Sequence, residues 1–260
     1  MKPRVVRAAA LTVIALVVAS CGGDDTAGDG ELPTITEGAL TVCTDAPYEP
    51  FEMQNEDGSW TGFDMDLMSA IAGNLGLTLE VTIQPFDGIW LAPAAGTCDL
   101  VASAMTITEE RAEQALFSDG YFDADQSLLV READAASYPD LESLAGQTIA
   151  VQTGTTGEIY ARDNTPEGAT LKSFDEPAAM FLALESRDVE AILQDLPVNA
   201  ERAIDQPDAF ELTATFPTGE QYGFATSQDQ TTLMDAVDAE LQALRDDGSY
   251  QDIYEAYFGG

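Results

Sequence analysis

Arg111 is one of only ten basic residues in a chain that carries 47 acidic ones. Its guanidinium offers a rigid fork of donors that meets a carboxylate with two hydrogen bonds. The competing use is a helix-surface ion pair with Glu110 or Asp66. Asp195 follows the expected strand Val189 to Gln194, at the kind of strand end where open α/β sheets hold ligands. An aspartate there also caps a following helix well. Thr155 and Thr156 stand where a helix begins, and free N–H groups with the helix dipole favour an anion at such a place. A plain turn and cap is the alternative.

Other chemistry is poorly supplied. The chain has no histidine, and its cysteines are not clustered, so neither a zinc site nor a Ser-His-Asp relay is expected. No Asp-x-Asp-x-Asp-Gly loop offers itself to calcium. We therefore expect no metal and no cofactor. A net charge of −37 sets nucleic acid aside as a partner, since phosphate binding needs basic clusters. The acidic balance reads as a solvated shell that favours solubility. It would also attract cationic solutes, with salt screening the effect.

Lys2, Arg4 and Arg7 precede an apolar run from Ala8 to Ala19, and Ala19-Ser20 lie directly before Cys21. This is the pattern of a secretory leader. The run, about 12 residues, is too short to span a hydrocarbon core of about 30 Å. Cys21 after small residues resembles the bacterial lipoprotein signal, in which that cysteine is lipidated and becomes the new N-terminus. An ordinary leader with an incidental cysteine is the alternative. Residues 1–20 are expected to be removed, and residues 21–37 read as a flexible acidic tether. Without the leader the basic residues are Arg111, Arg131, Arg162, Lys172, Arg187, Arg202 and Arg245. Cys43 and Cys98 then form an even pair, which outside the cytoplasm reads as a disulfide if their Cβ atoms come close enough.

Strands and helices alternate through the rest. Leu40 to Cys43 reads as a buried strand. Phe63, Leu67, Ile71 and Leu75 recur at helical spacing over Gly62 to Leu75, and Gly76 stops the helix. Leu79 to Ile83 reads as a strand, as does Leu100 to Met105, which is apolar but for Ser103. Thr106 to Glu109 fits a capping box. The pattern resumes with strands at Thr148 to Gln152 and Val189 to Gln194. Helices follow near Glu158, over Ala178 to Ser186 and over Pro197 to Ile204. Gln221 to Thr226 reads as a strand, and Leu233, Val237, Leu241 and Leu244 stripe a long helix ending at Gly248. Two such runs predict an α/β protein of two lobes, each a sheet flanked by helices, with the last elements packed back on the first lobe.

Several segments together resemble the extracytoplasmic solute-binding proteins, family 3, that feed polar amino-acid ABC importers. They are Cys43-Thr44-Asp45-Ala46-Pro47-Tyr48-Glu49-Pro50-Phe51-Glu52, Gly62-Phe63-Asp64-Met65-Asp66-Leu67 and Phe86-Asp87-Gly88-Ile89. Met105-Thr106-Ile107-Thr108-Glu109-Glu110-Arg111, Gly154-Thr155-Thr156, Gln194-Asp195 and Arg245-Asp246-Asp247-Gly248-Ser249-Tyr250 complete the set. The resemblance implies a periplasmic-binding-protein-like clam-shell. Lobe 1 would be residues 38–126 with 221–260, and lobe 2 residues 127–220. Two crossover hinge strands would lie near Asp125–Arg131 and Gly219–Ala225. The implied partners are an amino acid, the importer's membrane subunits and, through Cys21, the membrane; a monomer is expected.

The resemblance also distributes roles. Arg111 would hold the ligand α-carboxylate, and Asp195 would bind the α-ammonium from the other lobe. Ser103 and Thr106 would supply hydroxyl and backbone contacts, with Thr106 divided between this and the capping box. Ala104 stands where relatives often have a hydroxyl or glycine. Tyr48 and Phe86 would wall the ligand side chain, although such aromatics are more often core. Asp45 would read a side-chain nitrogen, a cation or the amide of glutamine; its alternative is a turn before Pro47. Gln152 replaces the lysine of many relatives, as in arginine-binding ones, which favours a basic ligand over glutamate. A dehydratase on the same fold would need a general acid in the cleft. Retention of both Arg111 and Asp195 fits zwitterion binding instead, so no enzyme is expected. A receptor sensing domain would continue into a membrane helix, leaving only a co-receptor role.

Overall fold

The computed structural model describes residues 32–259. The expected leader and Cys21 lie outside them, as does most of the expected tether. In chain order, β1 is Ala39–Thr44, β2 Met53–Gln54, β3 Trp60–Thr61, α1 Phe63–Asn74, β4 Thr78–Ile83 and β5 Leu100–Val101. Then come α2 Glu109–Ala112, β6 Leu116–Phe117, β7 Phe122–Arg131, β8 Thr148–Gln152, α3 Thr156–Asn164 and β9 Thr170–Phe174. The chain continues with α4 Pro177–Glu185, β10 Ala191–Asp195, α5 Leu196–Asp205 and β11 Phe210–Tyr222. It ends with β12 Ala225–Thr226, α6 Thr231–Asp247 and α7 Ser249–Phe258.

Two five-stranded sheets result, ordered β4-β1-β5-β12-β6 and β11-β7-β10-β8-β9. In the first, β1 runs parallel to β4 and β5, and β12 returns antiparallel beside β5. In the second, β8 runs parallel to β9 and β10, while β7 is antiparallel to β10 and β11. Each sheet is flanked by helices, so the fold is the expected two-lobed α/β clam-shell. β7 and β11 pair along most of their length, and β11 ends against the first lobe, where Tyr222 bridges to Thr106. Phe122 and Tyr222 stack with centroids 5.6 Å apart, and Phe51 and Phe258 pack on Phe122 at 5.1 and 4.9 Å. Those rings fasten the crossing strands to the first lobe.

The apolar stripes behave as their spacing requires. Phe63, Leu67 and Ile71 of α1 are buried, as are Leu233, Val237, Leu241 and Leu244 of α6. α6 and α7 both contact α1, so the C-terminal helices belong with the first lobe. Gly62 opens α1 at φ 115°, and a Cβ there would meet Phe51 O at 2.3 Å. Only glycine fits that approach. Cys43 and Cys98 are joined in a disulfide, with Cα atoms 5.8 Å apart.

Three local readings need correction. The strand expected over Leu100–Met105 stops at Val101. Ala102 to Met105 are buried without being strand, because Ala104 takes φ 43° and its N–H turns to Asp64 Oδ2 at 2.8 Å. The cap of α2 is Thr108, whose hydroxyl accepts from the Arg111 N–H, so Thr106 is not the capping-box residue. Finally, the strand expected over Gln221–Thr226 is split between β11 and β12.

Candidate functional site

The elements converge on a narrow cleft between the two sheets. Asp45 follows the end of β1, and the Ala102–Thr106 segment follows the end of β5. Gln152 ends β8, Thr155 and Thr156 open α3, and Asp195 ends β10. These are carboxyl ends of strands, where side chains leave the sheet and backbone groups are unpaired. Asp45, Tyr48, Phe86, Ser103, Ala104, Thr106, Gln152, Thr155, Thr156 and Asp195 all line this cleft. Arg111 stands beside it rather than on its wall. Its Nη1 donates to Thr106 O at 2.7 Å, and its Nη2 donates to Gly154 O of the other lobe at 3.0 Å. The guanidinium also faces Phe86 and Trp90, at 5.2 and 5.1 Å from their centroids, a favourable place for a cation.

The bland alternatives fare unevenly. Among the described residues Arg111 makes no ion pair with Glu110 or Asp66. Asp195 occupies the N-cap position of α5, yet its carboxylate makes no capping hydrogen bond. It accepts instead from Tyr48 Oη at 3.0 Å, Gln126 Nε2 at 2.6 Å and Tyr222 Oη at 2.5 Å. Thr155 does cap α3, accepting from Glu158 N at 3.1 Å. Thr156 is spared that duty; its hydroxyl donates to Glu220 Oε2 at 2.6 Å. Ser103 Oγ accepts from Asp45 N and donates to Glu52 Oε1, both at 2.9 Å.

The electrostatics are lopsided. Burial pushes the Asp195 carboxyl up to about 6, with the Glu220 charge adding to it and three hydrogen bonds opposing. Burial also pushes Asp45 up to about 6, against a hydrogen bond from Gln152 Nε2. Glu52, whose Oε2 is buried without a partner, is driven well above the carboxylate range by burial and by Asp64. Burial lowers Arg111 to about 10, while Asp195 and Glu220 hold it up. A cleft walled by several carboxylates, with one guanidinium beside it, suits a ligand with more positive than negative groups.

Gln126, Glu220 and Tyr222 were not among the expected site residues. They lie on the crossing strands β7 and β11, and nothing in their local sequence marks them. Glu52, which lines the cleft, did have a signal, since it closes the segment that begins at Cys43.

Comparison with known proteins agrees with this geometry. Residues 40–260 match the model of the bacterial extracellular solute-binding proteins, family 3. A probable histidine-binding protein of Neisseria gonorrhoeae is 30% identical over 260 residues, covering 96% of this chain and 94% of the relative. An ancestral arginine-binding protein bound to arginine is 36% identical, with a TM-score of 0.79 over 85% of this chain and 99% of that one. An ancestral arginine-binding protein bound to glutamine superposes with a TM-score of 0.81 at 36% identity, covering 86% of this chain and 100% of that one. The chain belongs to the bacterial extracellular solute-binding proteins of family 3.

Proposed function

We propose that this protein captures a polar L-α-amino acid, with a basic one preferred, and delivers it to an ABC importer. The observation that carries the reading is the placing of Asp45 and Asp195 in one cleft beside Arg111, with Gln152 where a lysine would favour an acidic ligand. In this reading Arg111 and the start of α3 take the α-carboxylate. Asp195 takes the ammonium, and Asp45 takes the side-chain cation between Tyr48 and Phe86. The names of the relatives, histidine- and arginine-binding, support a basic ligand. Ligand release into the importer follows from lobe opening.

Glutamine is the second reading. Asp45 accepts an amide N–H from Gln152 at 2.6 Å, and an ancestral arginine-binding protein has been solved bound to glutamine. Thermal shift of the protein against the twenty amino acids separates the two, since a ligand at 100 times its Kd stabilises by about 2.7 kcal/mol. Stabilisation by glutamine and not by arginine, lysine or histidine overturns the basic preference. We also infer a binding protein rather than an enzyme. Turnover of a prephenate-like acid would reverse that inference. The lipid anchor at Cys21 and monomeric behaviour remain part of the proposal. Cys21→Ser should release the protein from membranes with its affinity unchanged, because lipid supplies the anchoring.

A further inference from the structure

Glu220 has no part in the site as assigned above, yet its carboxylate lies where the two lobes meet. It follows a register irregularity in β11 between Phe216 and Glu220. Its Oε2 accepts from Thr106 Oγ1 of one lobe at 2.7 Å and from Thr156 Oγ1 of the other at 2.6 Å. Its Oε1 lies 3.2 Å from Gln126 Nε2, the same nitrogen that donates to Asp195. The Glu220 charge raises the proton affinity of both Arg111 and Asp195, so it acts on both groups assigned to the α-end of a ligand.

Two consequences follow from this geometry. The hydroxyls of Thr106 and Thr156 donate to Glu220, and Arg111 donates through Nη1 and Nη2 to backbone carbonyls. Both threonine hydroxyls and two of the five Arg111 N–H groups therefore already have partners within the protein. A site usually rejects an analogue that lacks a polar group because its own buried groups are left unpaired. Here that penalty is reduced. In addition, this end of the cleft sets Asp195 and Glu220 against one guanidinium. The α-end of an amino acid is neutral overall, whereas an amine without the carboxylate brings the positive charge that such a surplus attracts.

We propose that Glu220 is a specificity-determining residue that lets this cleft take decarboxylated basic amines, alkyl guanidines and diamines, alongside amino acids. The inference rests on reading the cleft as an amino-acid site. It is tested by calorimetry on the protein with matched pairs: arginine and agmatine, lysine and cadaverine, histidine and histamine. At least one amine is expected to bind within about tenfold of its parent amino acid, a difference of about 1.4 kcal/mol. Glu220→Gln should weaken that amine about tenfold or more, and the amino acid less than about threefold, as loss of one close charge partner implies. Glu220→Asp, which keeps the charge, should retain the amine.

The inference is overturned if no amine binds the unaltered protein. Equal weakening of amine and amino acid by Glu220→Gln also overturns it, as does Glu220→Asp behaving like Glu220→Gln. Failure of every α-amino acid to bind would sink the proposed function and the inference with it. An amino acid that binds while no amine does would overturn the inference alone and leave the proposed function standing.

Discussion

Gln152 Nε2 donates to Asp45 Oδ2 at 2.6 Å, joining residues 107 positions apart from opposite lobes. The contact shows what Asp45 accepts, a nitrogen donor, and it lies beside the aromatic walls Tyr48 and Phe86. Asp45→Asn keeps a polar group there and removes the charge. It should weaken arginine by tenfold or more, an effect of about 1.4 kcal/mol, and leave any glutamine binding within a few-fold. Calorimetry with both ligands decides this. An equal response would make Asp45 a turn residue.

The same carboxylates set opposite pH dependences for folding and for binding. Burial raises Asp45 and Asp195 to about 6 and Asp64 to about 7, from the ordinary aspartate value of 3.8. Each binds its proton more tightly folded than unfolded, so the stability it contributes is full below the unfolded value and is lost as pH rises through the folded one. Asp134, held low first by its hydrogen bond from Arg131, acts only at more acid pH. Thermal melts of the protein without added ligand should therefore show a falling Tm from about pH 4 to about pH 7. Arginine affinity should move the other way and fall below about pH 6, where Asp45 and Asp195 lose their charge. An affinity flat from pH 5 to 8 would remove both as cation partners.

Arg111→Ala should abolish measurable amino-acid binding. Truncating one partner of a buried charge pair costs about 2–5 kcal/mol, against about 8 kcal/mol for a micromolar ligand. Arg111→Lys should recover little of it, because an ammonium cannot reproduce the bonds to Thr106 O and Gly154 O together with a ligand contact. A loss below threefold in the alanine variant would reject the assignment.

Gly154 tests the closing motion. It has φ 77°, and a Cβ there would come within 2.7 Å of Asp87 Oδ1 in the other lobe. Gly154→Ala carries a local cost of about 1 kcal/mol for the left-handed backbone and a clash that opening of the lobes relieves. Small-angle scattering should show the radius of gyration of the native protein falling on ligand addition, and the variant should show weaker binding and a smaller fall. Tight binding with an unchanged radius in the native protein would place the site on one lobe.

The Cys43–Cys98 bridge closes a loop of 55 residues between β1 and the approach to β5. Chain entropy makes this worth about 4 kcal/mol at most. Cys43→Ala with Cys98→Ala should lower stability by up to that amount while ligand affinity changes little, since neither sulfur lines the cleft. Denaturant melts and calorimetry on the double variant measure the two effects separately. A large affinity loss at unchanged stability would contradict this division.

Local rules carried much of the architecture. The stripes of α1 and α6 and the alternation of strand and helix are short-range patterns, and burial of one face follows from them. Arg111, Thr155 and Thr156 were recognisable because each sits in a contiguous motif. Where the same local pattern served two outcomes, the sequence did not choose. The apolar run Leu100–Met105 suits a covered strand or a buried loop equally, and only the turn of Ala104 toward Asp64 separates them. Thr106 and Thr108 are both able to cap, and the packing of Arg111 selected Thr108.

The carboxylate-lined side of the cleft was decided by tertiary structure. Asp195 could be a helix cap until Tyr48, 147 positions away, and Gln126, 69 positions away, supply its hydrogen bonds. Glu220 and Tyr222 reach the cleft residues Thr106, Thr156 and Asp195 only because β11 crosses between the lobes beside β7. The sequence by itself determined the main strands and helices of each lobe and set Arg111 in the motif that opens α2. Which carboxylates share the cleft depended on contacts between distant parts of the chain, which hydrophobic periodicity does not encode.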